Sequence, residues 1–191
     1  MASIGMRHLV AAPFAESQTE GQLPAYEAGV KMRAVSANIT LDRNDSELYA
    51  DDVLAESDNT ITGGTVDMTV AEVTDEVGAV LFGNKMDEQN KEYYDSDQSS
   101  PYIGMGYMRE QKYQGKSSFR AVWFYKVQLA AAEETAQTKG ETTTFQTQRI
   151  TGEILGVTMA DGSTRFRAWK TFNSAAEATA WLNTKANYQT A

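Results

Sequence analysis

The sequence of 191 residues contains no cysteine, a single histidine and only three prolines. Without cysteine, the chain has no disulfide, no thiolate zinc site and no thiol nucleophile. A chain of this length can bury roughly 70% of its unfolded surface, so one domain needs no covalent links. No apolar run approaches the roughly 18 residues that a membrane-spanning helix needs, and no signal peptide is visible near Met1. We therefore expect a soluble protein made in the cytoplasm.

Candidates for catalysis or cofactor binding are few. His8 is the only histidine, and nothing in its neighbourhood suggests a catalytic triad. Asp95-Ser96-Asp97 begins like a calcium loop, but Ser100 stands where that loop requires glycine. Gly104-Met105-Gly106 lacks the third glycine of a dinucleotide-binding loop. We expect no catalytic residue, no metal site and no cofactor, and we do not expect an enzyme.

Acidic residues dominate the charge, with 26 Asp and Glu against 17 Lys and Arg and a formal net charge of −9. The excess lies in two segments, residues 42–58 and 87–97, each of which contains a single basic residue. The first holds Asp42, Asp45, Glu47, Asp51, Asp52, Glu56 and Asp58. The second holds Asp87, Glu88, Glu92, Asp95 and Asp97. We expect two solvated acidic loops, whose charge would repel a polyanion rather than bind it.

Alternation of apolar and polar residues predicts several strands. It is clear over residues 34–41, where Val35, Ala37, Ile39 and Leu41 share one face, and it returns over residues 59–73. The strongest signal lies over residues 119–129, in which every second residue is apolar. Residues 101–109 and 142–157 are also predicted to be strands, and Asp161-Gly162 predicts a hairpin turn.

Two short helices are predicted from their caps. Thr74 is a candidate N-cap followed by acidic residues, and Gly83 supplies a stop. Ser174 and Glu177 form a capping box that opens a helix over about residues 174–185. The expected fold is mainly β, an antiparallel β-sandwich or barrel with one or two short α-helices and extended loops or arms. We expect residues 1–25 to be an N-terminal arm or irregular lead-in and residues 26–191 to be a single β domain.

Aromatic residues cluster in the second half of the chain. A stacking platform for bases would need many basic neighbours, and these are sparse. The aromatic residues concerned are Trp123, Phe124, Tyr125, Phe166, Trp169 and Phe172. We expect them to serve core and interface packing.

The order of these features resembles the major tail proteins of long-tailed, non-contractile bacteriophages, the subunits of the tail tube. The resemblance covers about residues 25 to 185 and depends on order and spacing more than on any one motif. It is carried by the strand over residues 34–41, Tyr49-Ala50-Asp51-Asp52, the strand over residues 61–70, Val80-Leu81-Phe82-Gly83, residues 101–107, residues 123–129, Thr144-Phe145-Gln146-Thr147, Ile150-Thr151-Gly152, the capping box and Trp181-Leu182.

The resemblance implies a structural virion protein of the tail-tube β-sandwich type, whose subunits form hexameric rings. Such rings stack into a hollow tube that conducts viral DNA during ejection. The implied partners are copies of the chain itself and other tail proteins such as the tape measure, tail tip and tail terminator. Viral DNA would pass through without specific binding, and no membrane is involved. The protein would be made in the bacterial host cytoplasm and reside in the virion.

The acidic segments are the candidate functional sites under this interpretation. Residues 42–58 are the first candidate for lining the bore or contacting the next ring, and residues 87–97 are the weaker candidate. Two other functions remain open. One is a head–tail completion or decoration protein with a β-sandwich fold that does not polymerise. The other is a small-ligand-binding β-barrel.

Overall fold

The computed structural model describes residues 2–50, 53–95, 99–130 and 147–189, without the side chains of residues 2–4, 45–50 and 53–58. These ranges contain twelve strands and two helices. The strands are β1 (Ala2–Pro13), β2 (Val30–Met32), β3 (Ala34–Ala50), β4 (Val53–Val70), β5 (Lys85–Asp87), β6 (Glu92–Tyr94), β7 (Tyr102–Tyr113), β8 (Lys116–Leu129), β9 (Gln148–Leu155), β10 (Val157–Thr158), β11 (Thr164–Arg165) and β12 (Arg167–Phe172). The helices are α1 (Asp75–Phe82) and α2 (Ala175–Lys185).

The main sheet is antiparallel and runs in the order β2-β1-β7-β8-β9-β4-β3, with β12 paired to β8. Its two end strands, β2 and β3, are consecutive in the chain and are separated only by Arg33. The backbone amide of Ala71 donates to the carbonyl of Arg33 at 2.9 Å, which ties this junction to the end of β4. The sheet therefore curves until its two ends meet. The predicted mainly β fold, with antiparallel sheets and two helices, is confirmed and is consistent with a β-sandwich.

Both faces of β8 are buried. Trp123 and Phe124 are neighbours in sequence, are both 0% exposed, and belong to two separate apolar clusters on opposite faces of the sheet. The predicted alternation over residues 119–129 holds only as far as Tyr125. A bulge in the pairing with β7 then inserts one residue, so Val127 joins Phe124 in the first cluster.

The two helices begin and end at the predicted caps. The Thr74 hydroxyl accepts from the amide of Val77 at 3.4 Å, and Gly83 ends α1 with a φ of 77°. The Ser174 hydroxyl accepts from the amide of Glu177 at 3.2 Å, and α2 runs to Lys185. The helices contribute to different clusters, since Leu81 of α1 lies in the first and Leu182 of α2 in the second.

The expected N-terminal arm is wrong for residues 2–13. These residues form β1, which lies between β2 and β7 inside the sheet, and residues 9–12 are buried. The strand was not predicted because two bulges interrupt its period of two. Gly5 and His8 lie within the interrupted stretches with positive φ values of 57° and 54°. A strand of this kind shows no regular alternation in its sequence.

The expected acidic loop over residues 42–58 is also wrong. β3 and β4 continue through it as an antiparallel hairpin, with Asp42 paired to Gly63 at its base and Ala50 paired to Val53 at its end. Charged residues are tolerated here because β3 is an end strand of the sheet order. The predicted strand over residues 34–41 is confirmed, except that a bulge leaves Val35 61% exposed.

Candidate assembly surfaces

The β3–β4 hairpin extends beyond the main sheet. β9 pairs with β4 only from Gly64 to Val70, although β4 is 18 residues long and β3 is 17. Over residues 42–50 and 53–62, β3 and β4 therefore pair only with each other in the part of the chain that the structure describes. We call residues 42–50 and 53–62 the acidic ribbon. A two-stranded hairpin is only marginally stable by itself in water. Packing against a partner protein would stabilise this ribbon.

The structure describes the backbone of most acidic residues in this first candidate site. Asp42 is exposed at the base of the ribbon, and Asp45, Glu47, Glu56 and Asp58 follow within β3 and β4. The remaining two members, Asp51 and Asp52, lie outside the described residues. The structure thus places the segment on one ribbon, and its orientation toward a bore or a neighbouring ring stays a prediction.

The second acidic segment forms a separate small hairpin made of β5 and β6. The carboxylate of Asp87 accepts from the amide of Gln89 at 2.9 Å and from the side chain of Asn90 at 2.8 Å. These hydrogen bonds lower the pKa of Asp87, so the carboxylate stabilises its own turn. The other members are Glu88 in the turn, Glu92 in β6 and Asp95 just after it, while Asp97 lies outside the described residues.

His8 makes a side-chain contact that links two elements of the fold. Its Nε2 lies 2.7 Å from Oδ1 of Asn183, which joins β1 to α2. Partial burial lowers the pKa of His8, against the opposing effect of the Asn183 hydrogen bond. Among the hydrogen bonds of the described residues, none joins His8 to a serine or to an aspartate, as a catalytic triad would require.

Three arginines that are separated in sequence lie on neighbouring strands of the described sheet. Arg109 and Arg120 are direct partners in the β7–β8 ladder, and Arg167 lies in β12, which pairs with β8. We call these three residues the arginine cluster. Burial is the main cause that lowers the pKa of Arg167, and the charge of Arg120 adds to it.

The arginine cluster has no carboxylate partner among the side chains that the structure describes. The ion pairs found there join Arg7 to Glu110 and Arg149 to Asp67. The Nε atoms of Arg109 and Arg120 are shielded from solvent and make no hydrogen bond. Leaving a buried charged donor unpaired is costly, so such a site favours an added anion.

An exposed tryptophan contacts two members of the arginine cluster. Trp169 is 52% exposed, and the guanidinium carbons of Arg120 and Arg167 lie 5.2 and 5.1 Å from its ring centroid. Contacts of this kind stabilise by about 0.5–1 kcal/mol at exposed sites. The guanidinium groups of Arg120 and Arg167 therefore both pack on the same exposed indole. Sequence analysis missed this site because no local motif links its members.

A cleft of about 650 Å³ lies beside β4, β8 and β9. Its lining mixes Val66 and Leu129 with polar groups such as Gln128 and Glu153. The side chain of Gln128 already donates to the carbonyl of Ser100 at 2.9 Å. The lining ends at Ala130, after which residues 131–146 lie outside the described residues. This mixed lining differs from the mainly apolar cavity with a few polar groups that small ligands usually occupy.

Comparison with known proteins adds no assignment. No protein-family model matches the sequence, and no curated protein matches it either. Within the described ranges, no three or more His, Cys, Asp or Glu side chains are grouped so that they could hold a metal ion. Neither helix in those ranges is long and apolar enough to cross a membrane. Function must therefore be inferred from the surfaces of the chain itself.

Proposed function

We propose that this chain is a structural virion protein, the subunit of a bacteriophage tail tube that polymerises as stacked rings around the path of the viral DNA. The observation that carries the proposal is the acidic ribbon. It holds two paired strands beyond the main sheet, with no third strand from the described part of the same chain. A surface of this shape is completed most simply by another copy of the protein.

The charge of the ribbon supports the same proposal. Residues 42–58 contain seven acidic residues and one arginine. Duplex DNA carries about one negative charge per 1.7 Å of its axis, and a basic conduit would hold it through counterion release. A predominantly acidic subunit leaves DNA free to move. The ring number, the tape measure, tail tip and tail terminator partners, and residence in the virion follow from the family resemblance.

The experiment is negative-stain electron microscopy of the purified, concentrated protein, with its solution mass measured in parallel. We expect hollow tubes with a regular axial repeat. Single closed rings that do not stack would favour the head–tail completion or decoration protein instead. A monomer that also fails to extend on a tail-tip template would contradict the proposal.

A variant without the ribbon gives the matched control. Asp42 and Gly63 are partners in the β3–β4 ladder, so residues 43–62 can be replaced by an Asn-Gly turn that closes the shortened hairpin. No member of the two apolar clusters lies in the deleted range. We expect this variant to unfold cooperatively, as the wild type does, and to form no tubes. Normal tubes from the shortened protein would show that the ribbon is not an assembly surface.

A further inference from the structure

The β5–β6 hairpin exposes large apolar side chains on both of its faces. Its strands are three residues long and, among the described residues, pair only with each other. Met86 and Tyr93 are direct partners and share one face, while Glu92 and Tyr94 share the other. All four side chains are exposed. Apolar side chains grouped on a small, marginally stable hairpin indicate a surface that a partner covers.

The hairpin also carries carboxylates that no described cation binds. Residues 85–95 contain four acidic and two basic residues. Asp87 accepts hydrogen bonds within its own turn. Glu88, Glu92 and Asp95 are exposed and form no ion pair with a described side chain. One face of the hairpin therefore presents an exposed phenol, that of Tyr94, beside an unpaired carboxylate.

The arginine cluster presents the complementary combination, an exposed indole beside unpaired cations. Arg109 and Arg120 are directly opposite each other, so their side chains project from the same face of the sheet. Trp169 lies on that face too, because its partner in β8 is Val122, two residues from Arg120. Its ring contacts the guanidinium groups of Arg120 and Arg167. None of the three arginines forms an ion pair with a described side chain.

The two surfaces lie apart along β7 in one chain. A Cβ on Gly83, which precedes the hairpin, would lie 3.2 Å from Cδ of Pro101, so the hairpin begins beside the start of β7. Arg109 is seven residues beyond Tyr102, roughly 23 Å along the strand. No ion pair joins the described side chains of the hairpin to those of the arginine cluster. A contact between these surfaces is therefore open to a second copy.

We infer that the β5–β6 hairpin of one copy binds the arginine cluster and Trp169 of a second copy. Glu92 binds the guanidinium groups of Arg120 and Arg167, and Tyr94 packs against the exposed indole. The contact joins two different surfaces, so it repeats from copy to copy and builds a ring or a continuing stack. The inference rests on the self-association that the proposed function requires, and it names the surfaces that make the contact.

Exchanging the charges of Glu92 and Arg167 tests the contact. Glu92→Arg and Arg167→Glu each place like charges opposite each other, so each is expected to lower the association constant at least about tenfold. The variant with both substitutions restores opposite charges and is expected to recover most of the association. Sedimentation velocity of the full chain over a concentration series measures all three variants. A combined variant that associates no better than either single variant overturns the inference.

Two matched controls make the same changes of charge outside both surfaces. Glu20→Arg corresponds to Glu92→Arg, and Lys116→Glu corresponds to Arg167→Glu. Glu20 and Lys116 are both exposed, in the segment between β1 and β2 and at the start of β8. We expect both controls to associate as the wild type does. Controls that lose as much association as the surface variants would show an effect of net charge alone and overturn the inference.

Thermal unfolding checks that each variant is folded. If Arg167→Glu does not fold, Arg167→Gln and Glu92→Gln form a double-mutant cycle in its place. Because each of these substitutions removes the same contact, their combination is expected to associate no more weakly than the weaker single variant. Full additivity of the two losses overturns the inference.

The remaining outcomes separate this inference from the proposed function. Tubes formed equally well by the wild type, Glu92→Arg and Arg167→Glu overturn the inference and leave the tail-tube proposal standing. A wild type that neither associates nor forms tubes overturns both. A short labelled DNA duplex, followed by fluorescence anisotropy, tests phosphates as the other source of anions. DNA binding that Arg167→Glu loses would assign the arginines to phosphates and overturn the contact between copies.

Discussion

The indole Nε1 of Trp123 donates to the hydroxyl of Tyr26 at 3.3 Å, and their rings meet edge to face at a centroid distance of 5.3 Å. The same hydroxyl donates to the backbone carbonyl of Tyr125 at 2.7 Å. One phenol thus satisfies two polar groups of β8 from the irregular segment between β1 and β2. This contact fixes that segment on the second apolar cluster, which also receives α2.

Tyr26→Phe is expected to destabilise the protein by about 1–3 kcal/mol. The substitution keeps the ring but leaves the buried indole without an acceptor and the Tyr125 carbonyl without this donor. Urea unfolding followed by tryptophan fluorescence measures the change. Tyr113→Phe is the matched control, because Tyr113 is 55% exposed at the end of β7. Equal stability of the two variants would contradict the role of the hydroxyl.

Tyr26 also predicts a loss of stability at alkaline pH. Burial is the main cause that raises the pKa of Tyr26 far above its usual value near 10. Above about pH 10 the unfolded chain releases this proton while the folded chain keeps it, so the free energy of unfolding falls as pH rises. The slope contributed by this group is at most about 1.4 kcal/mol per pH unit. Urea titrations between about pH 9 and 11 are expected to show a shallower decline for Tyr26→Phe, and an unchanged slope would refute the prediction.

Val10 tests the position of the N-terminal strand. Its side chain is 0% exposed in the second apolar cluster, so Val10→Ala is expected to cost about 2–3 kcal/mol. Val35→Ala makes the same chemical change at a residue that is 61% exposed, and it is expected to stay within about 0.5 kcal/mol of the wild type. Thermal and urea unfolding compare the two. If Val10→Ala leaves the free energy of unfolding unchanged, residues 2–13 do not pack inside the sheet, and the N-terminal arm predicted from the sequence is favoured instead.

Gly106 is required for the close approach of β7 to Trp123 and α2. A Cβ at this position would lie 2.5 Å from the indole and 2.8 Å from Cδ2 of Leu182. Gly106→Ala is therefore expected to destabilise by about 1–3 kcal/mol, with near-ultraviolet circular dichroism reporting the displaced tryptophan. Gly63→Ala is the matched control, since its nearest atom would be a carbonyl oxygen at an ordinary 3.5 Å. A tolerated Gly106→Ala would mean that α2 packs more loosely than the structure shows.

Features that depend on neighbouring residues were predictable from the sequence. The caps Thr74 and Ser174, the stop at Gly83 and the turn at Asp161-Gly162 all lie where local hydrogen bonding and backbone preference place them. The strands β7 and β8 were also predicted, because their apolar residues are dense enough to survive a bulge. The charge of the ribbon was evident, but a loop was predicted over residues 42–58, where β3 and β4 in fact continue their pairing.

The sequence by itself determined the mainly β composition, the two capped helices and the acidic excess, since each depends on residue type and short-range spacing. Only the tertiary structure decided that residues 2–13 pair between β2 and β7, because that pairing comes from backbone hydrogen bonds to residues about a hundred positions away. The arginine cluster has the same origin. Arg109 and Arg120 meet because β7 pairs with β8, and Arg167 reaches the Trp169 ring beside Arg120 because β12 adds to β8. Strand pairing between separate segments brings these side chains together, so no local pattern in the sequence predicts them.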